Sequence, residues 1–142
     1  MVYKLHINLI GNEPLILPTA GEGIMGLKTI LIVDDDDGIC HMLFQFLHNE
    51  GYNVKIANDG IKALKILRKG QIDLAIVDIS MSGMDGIQLL KRIKSINPGT
   101  KVLMLTAYDE IETYHQAMSL GASDFLLKPI DINVLKEAIR KA

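Results

Sequence analysis

The sequence has no tryptophan, one cysteine and no long uninterrupted apolar run. The single cysteine, Cys40, excludes an internal disulfide framework and fits a reducing compartment, so we expect a cytoplasmic protein. Because Cys40 falls within a predicted helix, we expect it to act as a small buried hydrophobic residue rather than as a nucleophile. No apolar stretch approaches the ~20 residues that span a membrane. Polar residues between positions 8 and 13 interrupt the apolar region that a signal peptide needs.

The sequence also lacks a large excess of acidic or of basic side chains. The chain of 142 residues carries 15 basic and 17 acidic side chains, for a net charge of −2. This balance does not favour direct binding of nucleic acid or of an anionic membrane. The length suits one domain with a substantial hydrophobic core.

Residues 1–27 differ from the rest of the chain. Apolar and polar residues alternate from Tyr3 to Leu9, which predicts a strand. Glycine and proline are frequent over 11–26, which is typical of a linker. Residues 21–26 match G-x-G-x-x-G, but the pattern that follows is a strand rather than a helix, so a dinucleotide site is excluded. We therefore predict an N-terminal extension over 1–27, without an assigned role, and a separate domain over 28–142.

From residue 28 onward, strand and helix patterns alternate five times. Each strand is a short apolar run, and each helix has apolar residues at a spacing of three and four. The strands are predicted at 29–33, 52–57, 73–77, 102–105 and 123–127. The first three helices are predicted to end near residues 50, 69 and 96. The last two are predicted to cover 109–120 and 132–141. Strands separated by helices imply right-handed crossovers, and hence a parallel sheet with helices on both faces.

Residues with a charged or hydroxyl side chain directly follow four of these five strands. The first strand is followed by Asp34 and Asp35, the third by Asp78, the fourth by Thr106 and the fifth by Lys128. The carboxyl ends of parallel strands share one edge of the sheet, where ligands bind in such folds. Three carboxylates in one place repel each other unless positive charge neutralises them. Lys128 supplies one charge, and Mg²⁺ suits oxygen ligands such as these. A hydroxyl and an ammonium beside a metal-bound carboxylate would accommodate a phosphoryl group.

Other polar residues are expected to have ordinary structural roles. Asp36 and Asp37 are predicted in the first turn of a helix, where carboxylates favour the helix dipole, so we leave them out of the metal site. The histidines show no ligand spacing and are expected at the surface: His6, His41, His48 and His115.

With these residues, the sequence closely resembles a known family, the receiver domain of two-component response regulators. The motifs that carry the resemblance are ILIVDDDDGI at 30–39, LAIVDISMSGMDG at 74–86, LMLTAYDE at 103–110 and GASDFLLKPID at 121–131. The resemblance extends over nearly all of 28–142. It implies an α/β, flavodoxin-like (βα)5 fold: a doubly wound parallel sheet of five strands in the order 2-1-3-4-5.

The resemblance also implies the roles of the acidic residues. Asp78 would be the phosphoacceptor. Asp35 would hold Mg²⁺ directly and Asp34 through water, with Asp78 and the backbone carbonyl of Ser80 completing the metal site.

Further positions match the switch of the family. Thr106 would bond the phosphoryl oxygens, Lys128 would pair with Asp78 or the phosphate, and Phe125 matches the aromatic switch position. The family commonly has a cis bond before the proline that matches Pro129. One departure is Ser82, which stands where the family usually has a proline and would loosen the loop after Asp78 without removing a ligand.

The function implied is that of a phosphoprotein in phosphorelay signal transduction. A sensor histidine kinase or a phosphotransfer protein would donate the phosphoryl group. The helix over 109–120, the fifth strand and the last helix would then present a changed face to a downstream protein or output domain. The domain would catalyse only its own phosphorylation and dephosphorylation, and would be a monomer or a weak dimer that depends on phosphorylation.

Three alternatives stay open at this stage. A flavodoxin-like protein that binds flavin or nucleotide needs a glycine- and hydroxyl-rich loop after the first strand, where this chain has aspartates at 34–37. A Mg²⁺-dependent phosphatase with an aspartyl nucleophile usually carries that residue on the first strand and needs a cap or a substrate pocket. A degenerate receiver would lack some of the polar residues at the strand ends. The sequence does not separate a stand-alone receiver from a piece of a longer regulator.

Overall fold

The computed structural model describes residues 6–10, 13–17, 27–107 and 111–142. Strands and helices are numbered here in chain order. The strands are β1 (His6–Ile10), β2 (Glu13–Leu17), β3 (Thr29–Val33), β4 (Asn53–Ala57), β5 (Leu74–Asp78), β6 (Lys101–Thr106) and β7 (Asp124–Leu127). The helices are α1 (Asp37–Asn49), α2 (Gly60–Lys69), α3 (Gly86–Ile96), α4 (Ile111–Ser119) and α5 (Ile132–Lys141).

The first two strands form an antiparallel pair of their own, in which His6 lies opposite Leu17. The strand predicted from Tyr3 is present over 6–10, and its first residues lie outside the described part of the chain. The linker predicted over 11–26 is wrong at 13–17, which is β2. Both strands of a two-stranded sheet are edges, so Pro14 is tolerated in one of them. The missed signal is Gly11-Asn12 between two apolar runs, a pair that favours hairpins.

The other five strands form the parallel sheet predicted from the sequence. Their order is β4-β3-β5-β6-β7, which is 2-1-3-4-5 when counted from β3. Every residue of β5 is buried, because the strand is central and helices cover both faces. Val33 lies opposite Val77, Asp78 opposite Leu105, and Thr106 opposite Leu127. This register brings the carboxyl ends of these strands to the same edge.

Alternate residues of each strand point to opposite faces and build two cores. On one face, residues such as Leu31 and Val33 pack with α2, α3 and α4. On the other, residues such as Ile30 and Ile32 pack with α1 and α5. None of the described helices is both long and apolar enough to cross a bilayer.

Aspartates begin four of the helices by accepting hydrogen bonds from backbone N–H groups of the first turn. They are Asp36, Asp59, Asp85 and Asp131. The sequence pattern predicts Asp36 within the first turn of α1. It is instead the residue that caps this helix, and Asp37 lies in the first turn.

Candidate metal and phosphoryl-acceptor site

Four polar residues lie at the carboxyl edge of the parallel sheet. Asp34 directly follows β3, Asp78 ends β5, Thr106 ends β6 and Lys128 directly follows β7. Backbone hydrogen bonds continue past the strand ends, since the Lys128 N–H donates to the Thr106 carbonyl at 2.7 Å. The site is therefore positioned by the sheet itself rather than by flexible connections.

The three aspartates at 34, 35 and 78 form one cluster. Each offers a carboxylate oxygen, and these oxygens lie within 4.8 Å of one another. Asp34 and Asp78 are buried, whereas Asp35 is exposed at the mouth of the site. The cluster thus opens to solvent on the side of Asp35.

Lys128 bridges the two buried carboxylates. Its Nζ lies 2.9 Å from Oδ2 of Asp34 and 3.2 Å from Oδ1 of Asp78. Burial opposes the charged form of the ammonium, but the hydrogen bond and charge of Asp34, followed by those of Asp78, raise the pKa of Lys128 overall. Lys128 is accordingly a fixed cation at neutral pH.

The environment of Asp78 disfavours its negative charge. Burial and repulsion by Asp34 raise the pKa of the Asp78 carboxyl, against the opposing effects of Lys128 and the Ser80 N–H. The three carboxylates and the Lys128 ammonium together carry a net charge of −2 when all are ionised. A divalent cation with oxygen ligands matches this donor set in both charge and atom type.

Both oxygens of Asp34 already have partners in the protein. Oδ1 accepts the Asp36 N–H at 2.9 Å, and Oδ2 accepts Lys128. The backbone carbonyl of Asp34 also accepts the Cys40 thiol at 3.2 Å. Burial, with the charge of Asp34 as the next cause, raises the pKa of Cys40 to about 11, so this buried cysteine stays a thiol.

The loop after Asp78 is held down by two close contacts that the sequence did not indicate. A Cβ on Gly86 would lie 2.3 Å from the carbonyl oxygen of Asp78, so only glycine lets α3 begin so close to β5. The Met84 side chain covers Gly60, where a Cβ would lie 2.8 Å from its sulfur. Gly83 has φ +75°, which allows the turn between Asp78 and Met84.

Ser82 makes a contact that the expected proline could not make. Its backbone N–H donates to Oδ2 of Asp35 at 3.4 Å. The sequence suggested only a looser loop at this position. Proline has no N–H, so the substitution also changes the surroundings of a proposed metal ligand.

The proposed switch residues lie on adjoining elements. Thr106 is 3% exposed at the end of β6. Phe125 on β7 is partly buried against the core beneath α2, α3 and α4. Its ring packs edge-on against the ring of Tyr114, with 5.7 Å between the two ring centroids. Tyr114 lies on α4 and was not singled out from the sequence. The peptide bond between Lys128 and Pro129 is cis, as the resemblance implied.

The histidines do not join the site where their side chains are described. His41, His48 and His115 are exposed, as expected, and the side chain of His6 lies outside the described part of the chain.

The chain is similar in sequence to known proteins over most of its length. The sequence model of the family described as "Response regulator receiver domain" matches residues 30–140. This chain belongs to the response regulator receiver domain family.

Relatives of this receiver domain include both long and short proteins. The chain is 45% identical over 113 residues to the transcriptional regulatory protein ZraR of Escherichia coli (strain K12), covering 80% of this chain and 26% of ZraR. It is 40% identical over 114 residues to sporulation initiation phosphotransferase F of Bacillus subtilis (strain 168), covering 80% of this chain and 92% of that protein. The chain thus spans about a quarter of the transcriptional regulators that it matches.

A solved receiver structure supports the fold. The crystal structure of a CheY-like response regulator receiver domain protein from Methanospirillum hungatei JF-1 superimposes with a TM-score of 0.78 at 36% identity. The superposition covers 81% of this chain and 92% of the Methanospirillum hungatei chain. The receiver domain is a phosphoacceptor signalling domain of two-component systems, and flavin-binding and phosphatase functions are not favoured.

Proposed function

We propose that Asp78 accepts a phosphoryl group from a phosphohistidine on a sensor histidine kinase or phosphotransfer protein. The observation that carries the proposal is the position of Asp78, buried at the end of the central strand between Lys128 and the two other aspartates. A carboxylate oxygen attacks phosphorus and forms an O–P bond. The N–P bond breaks, and its electron pair returns to the imidazole. The product is an acyl phosphate on Asp78.

Asp34, Asp35, Asp78 and the backbone carbonyl of Ser80 would hold Mg²⁺. Because both Asp34 oxygens accept hydrogen bonds from the protein, we assign Asp34 to contact the ion through water. The exposed Asp35 is assigned as a direct ligand. When bound, Mg²⁺ neutralises negative charge that builds up on the phosphoryl oxygens.

Lys128 and Thr106 are assigned to the phosphoryl oxygens. Lys128 already lies 3.2 Å from the Asp78 oxygen, so a short movement of its flexible side chain would bring it to a phosphate attached there. Thr106 ends the strand next to β5 and supplies a hydroxyl donor.

Transfer to Asp78 would alter the face formed by α4, β7 and α5. This face exposes apolar side chains, including Ile111 at 70%, Leu127 at 48% and Val134 at 51%. Leu127 and Val134 line the same surface cavity, and contiguous exposed apolar groups are typical of protein contacts. We assign this face to a downstream protein or output domain, with the free domain a monomer or a weak dimer that depends on phosphorylation.

The rest of the assignment concerns the whole protein. We propose that residues 28–142 form the receiver, that residues 1–27 are an extension and that the protein works in the cytoplasm. The receiver itself would not bind nucleic acid. The match extends over 92% of phosphotransferase F and 26% of ZraR, so this receiver would fit either a stand-alone protein or part of a longer regulator.

Intact-mass measurement after incubation with acetyl phosphate tests the proposal. The protein should gain the mass of one phosphoryl group with MgCl₂ and none with EDTA. Asp35→Ala should gain little, whereas Asp37→Ala, which removes a carboxylate from the first turn of α1, should be labelled normally. Equal labelling in EDTA, or normal labelling of Asp35→Ala, would contradict the assignment of the metal site.

A further inference from the structure

We propose that the backbone N–H of Ser82 positions Asp35 and thereby raises the affinity of the acidic cluster for Mg²⁺. The inference rests on the proposed function, in which Asp35 is a direct ligand. The N–H lies 3.4 Å from Oδ2 of Asp35, although the two residues are 47 positions apart in sequence. The contact therefore joins the loop after β3 to the loop after β5.

Asp35 needs such a contact more than its neighbours do. Asp34 is buried and held by Lys128 and the Asp36 N–H, and Asp78 is held by Lys128. Asp35 is exposed, and the hydrogen bond that it makes within the described part of the chain comes from Ser82. An exposed carboxylate samples several rotamers and loses that freedom on binding a cation. A donor that already selects one rotamer reduces this cost.

The donor itself is held in place. Met81 is buried in the core on one side of Ser82, and Met84 packs on Gly60 on the other. A carboxylate oxygen has two lone pairs, so one N–H leaves room for a metal ion. The Ser82 side chain is exposed and takes no part in this contact.

Two substitutions of Ser82 separate the role of its backbone N–H from that of its side chain. Ser82→Ala keeps the backbone N–H, and Ser82→Pro removes it. Because Gly83 has φ +75°, positions 82 and 83 suit the two central positions of a type II turn, where proline is favoured first and glycine second. We therefore expect the turn to accommodate proline at position 82.

Calorimetric titration with MgCl₂ tests the proposal. Ser82→Ala should bind like wild type. Ser82→Pro should bind about three- to tenfold more weakly, which is less than the usual effect of an outer-shell partner because 3.4 Å is long for a hydrogen bond. Equal affinities for the two variants, or tighter binding by Ser82→Pro, would overturn the inference. Wild-type protein that does not bind Mg²⁺ would instead overturn the proposed function.

A second measurement does not depend on folding of the proline variant. In the metal-free protein, Asp35→Asn weakens the acceptor, so the Ser82 amide proton should move upfield in NMR spectra. Asp37→Asn is the control and should leave that proton unchanged. A Ser82 amide that does not respond to Asp35→Asn would also overturn the inference.

Discussion

Lys128 is the residue on which the charge balance of the buried carboxylates depends. Removing it leaves the buried carboxyl groups of Asp34 and Asp78 close together without the ammonium that bridges them. We expect Lys128→Ala to lower the free energy of unfolding by about 2–3 kcal/mol at neutral pH, somewhat less than the cost of breaking a fully buried pair. Urea unfolding in EDTA measures this loss. Lys136→Ala is the control, because its 3.8 Å pair with Glu50 is exposed and should contribute less than about 1 kcal/mol.

The free energy of unfolding of Lys128→Ala should also depend on pH. The pKa of Asp78 is raised in the folded protein, so the folded state takes up a proton at a higher pH than the unfolded state does. Uptake therefore stabilises the fold as the pH falls through the folded pKa, and without Lys128 this pKa should rise further. The stability difference between Lys128→Ala and wild type should narrow on acidification. A difference that stays constant or widens would contradict this account.

At the scale of residues, the sequence was most informative where a strand ends. Asp34, Asp35, Asp78, Thr106 and Lys128 could be placed together because the ends of parallel strands share an edge. The pairing of Lys128 with Asp34 as well as Asp78 could not be predicted, because it depends on side-chain rotamers. The same holds for the Ser82 contact, which depends on the path of a loop.

At the scale of elements, the start of α3 fixes the loop that carries the proposed acceptor. Gly86→Ala would place a methyl group 2.3 Å from the Asp78 carbonyl oxygen, so backbone must move. We expect a loss of about 2 kcal/mol in unfolding free energy, typical of overpacking, and slower phosphorylation. Gly70→Ala is the control, since the nearest atom to its methyl group is 3.8 Å away. Equal effects of the two substitutions would show that close packing at Gly86 is unimportant.

We expect phosphorylation of Asp78 to act on α4, β7 and α5 through Thr106. Phosphate at Asp78 adds acceptor oxygens that should draw Thr106 inward and let Phe125 turn from its contact with Tyr114 into the core. Beryllofluoride is a mimic of the phosphoryl group. When it is added, amide NMR signals should shift throughout α4, β7 and α5. Thr106→Ala should restrict the changes to the Asp78 loop while Asp78 still accepts phosphate.

A matched control exists for this test. Thr100→Ala removes another buried threonine, whose hydroxyl donates to the Ile72 carbonyl before the start of β5. It should reduce stability but leave the response to beryllofluoride intact. Changes confined to the Asp78 loop in wild type, or an unaltered response in Thr106→Ala, would rule out the switch.

Element types in the receiver could be predicted because each strand is a short apolar run and each helix has a clear apolar face. Boundaries differ by a residue or so, as for β4, for which the pattern predicts a start at 52 and which begins at Asn53. The prediction was wrong at β2, where Pro14 and neighbouring glycines indicated a linker despite a short apolar run. Pairing between two edge strands depends on contact with a partner strand, which local composition does not record.

At the scale of the whole molecule, the parallel sheet is complete without the N-terminal hairpin. The strands β1 and β2 pair with each other in a separate sheet. A chain beginning at Met25 should therefore unfold with a free energy within about 0.5 kcal/mol of the full chain, the range of changes outside the core, and accept phosphate normally. Urea unfolding and intact mass measure both properties. If the shortened chain is unfolded, the boundary at residue 28 is wrong.

Mapping the phosphoryl label to a residue is the decisive test of Asp78 as the phosphoacceptor. Wild type and Asp78→Asn are incubated with acetyl phosphate and MgCl₂, and borohydride reduces the acyl phosphate before peptide mass analysis. The substitution keeps the shape of the side chain but removes the nucleophilic anion. We expect the modified peptide of wild type to map to Asp78 and the variant to gain no label. Equal labelling of the variant, or a wild-type label mapped to another residue, would contradict the assignment.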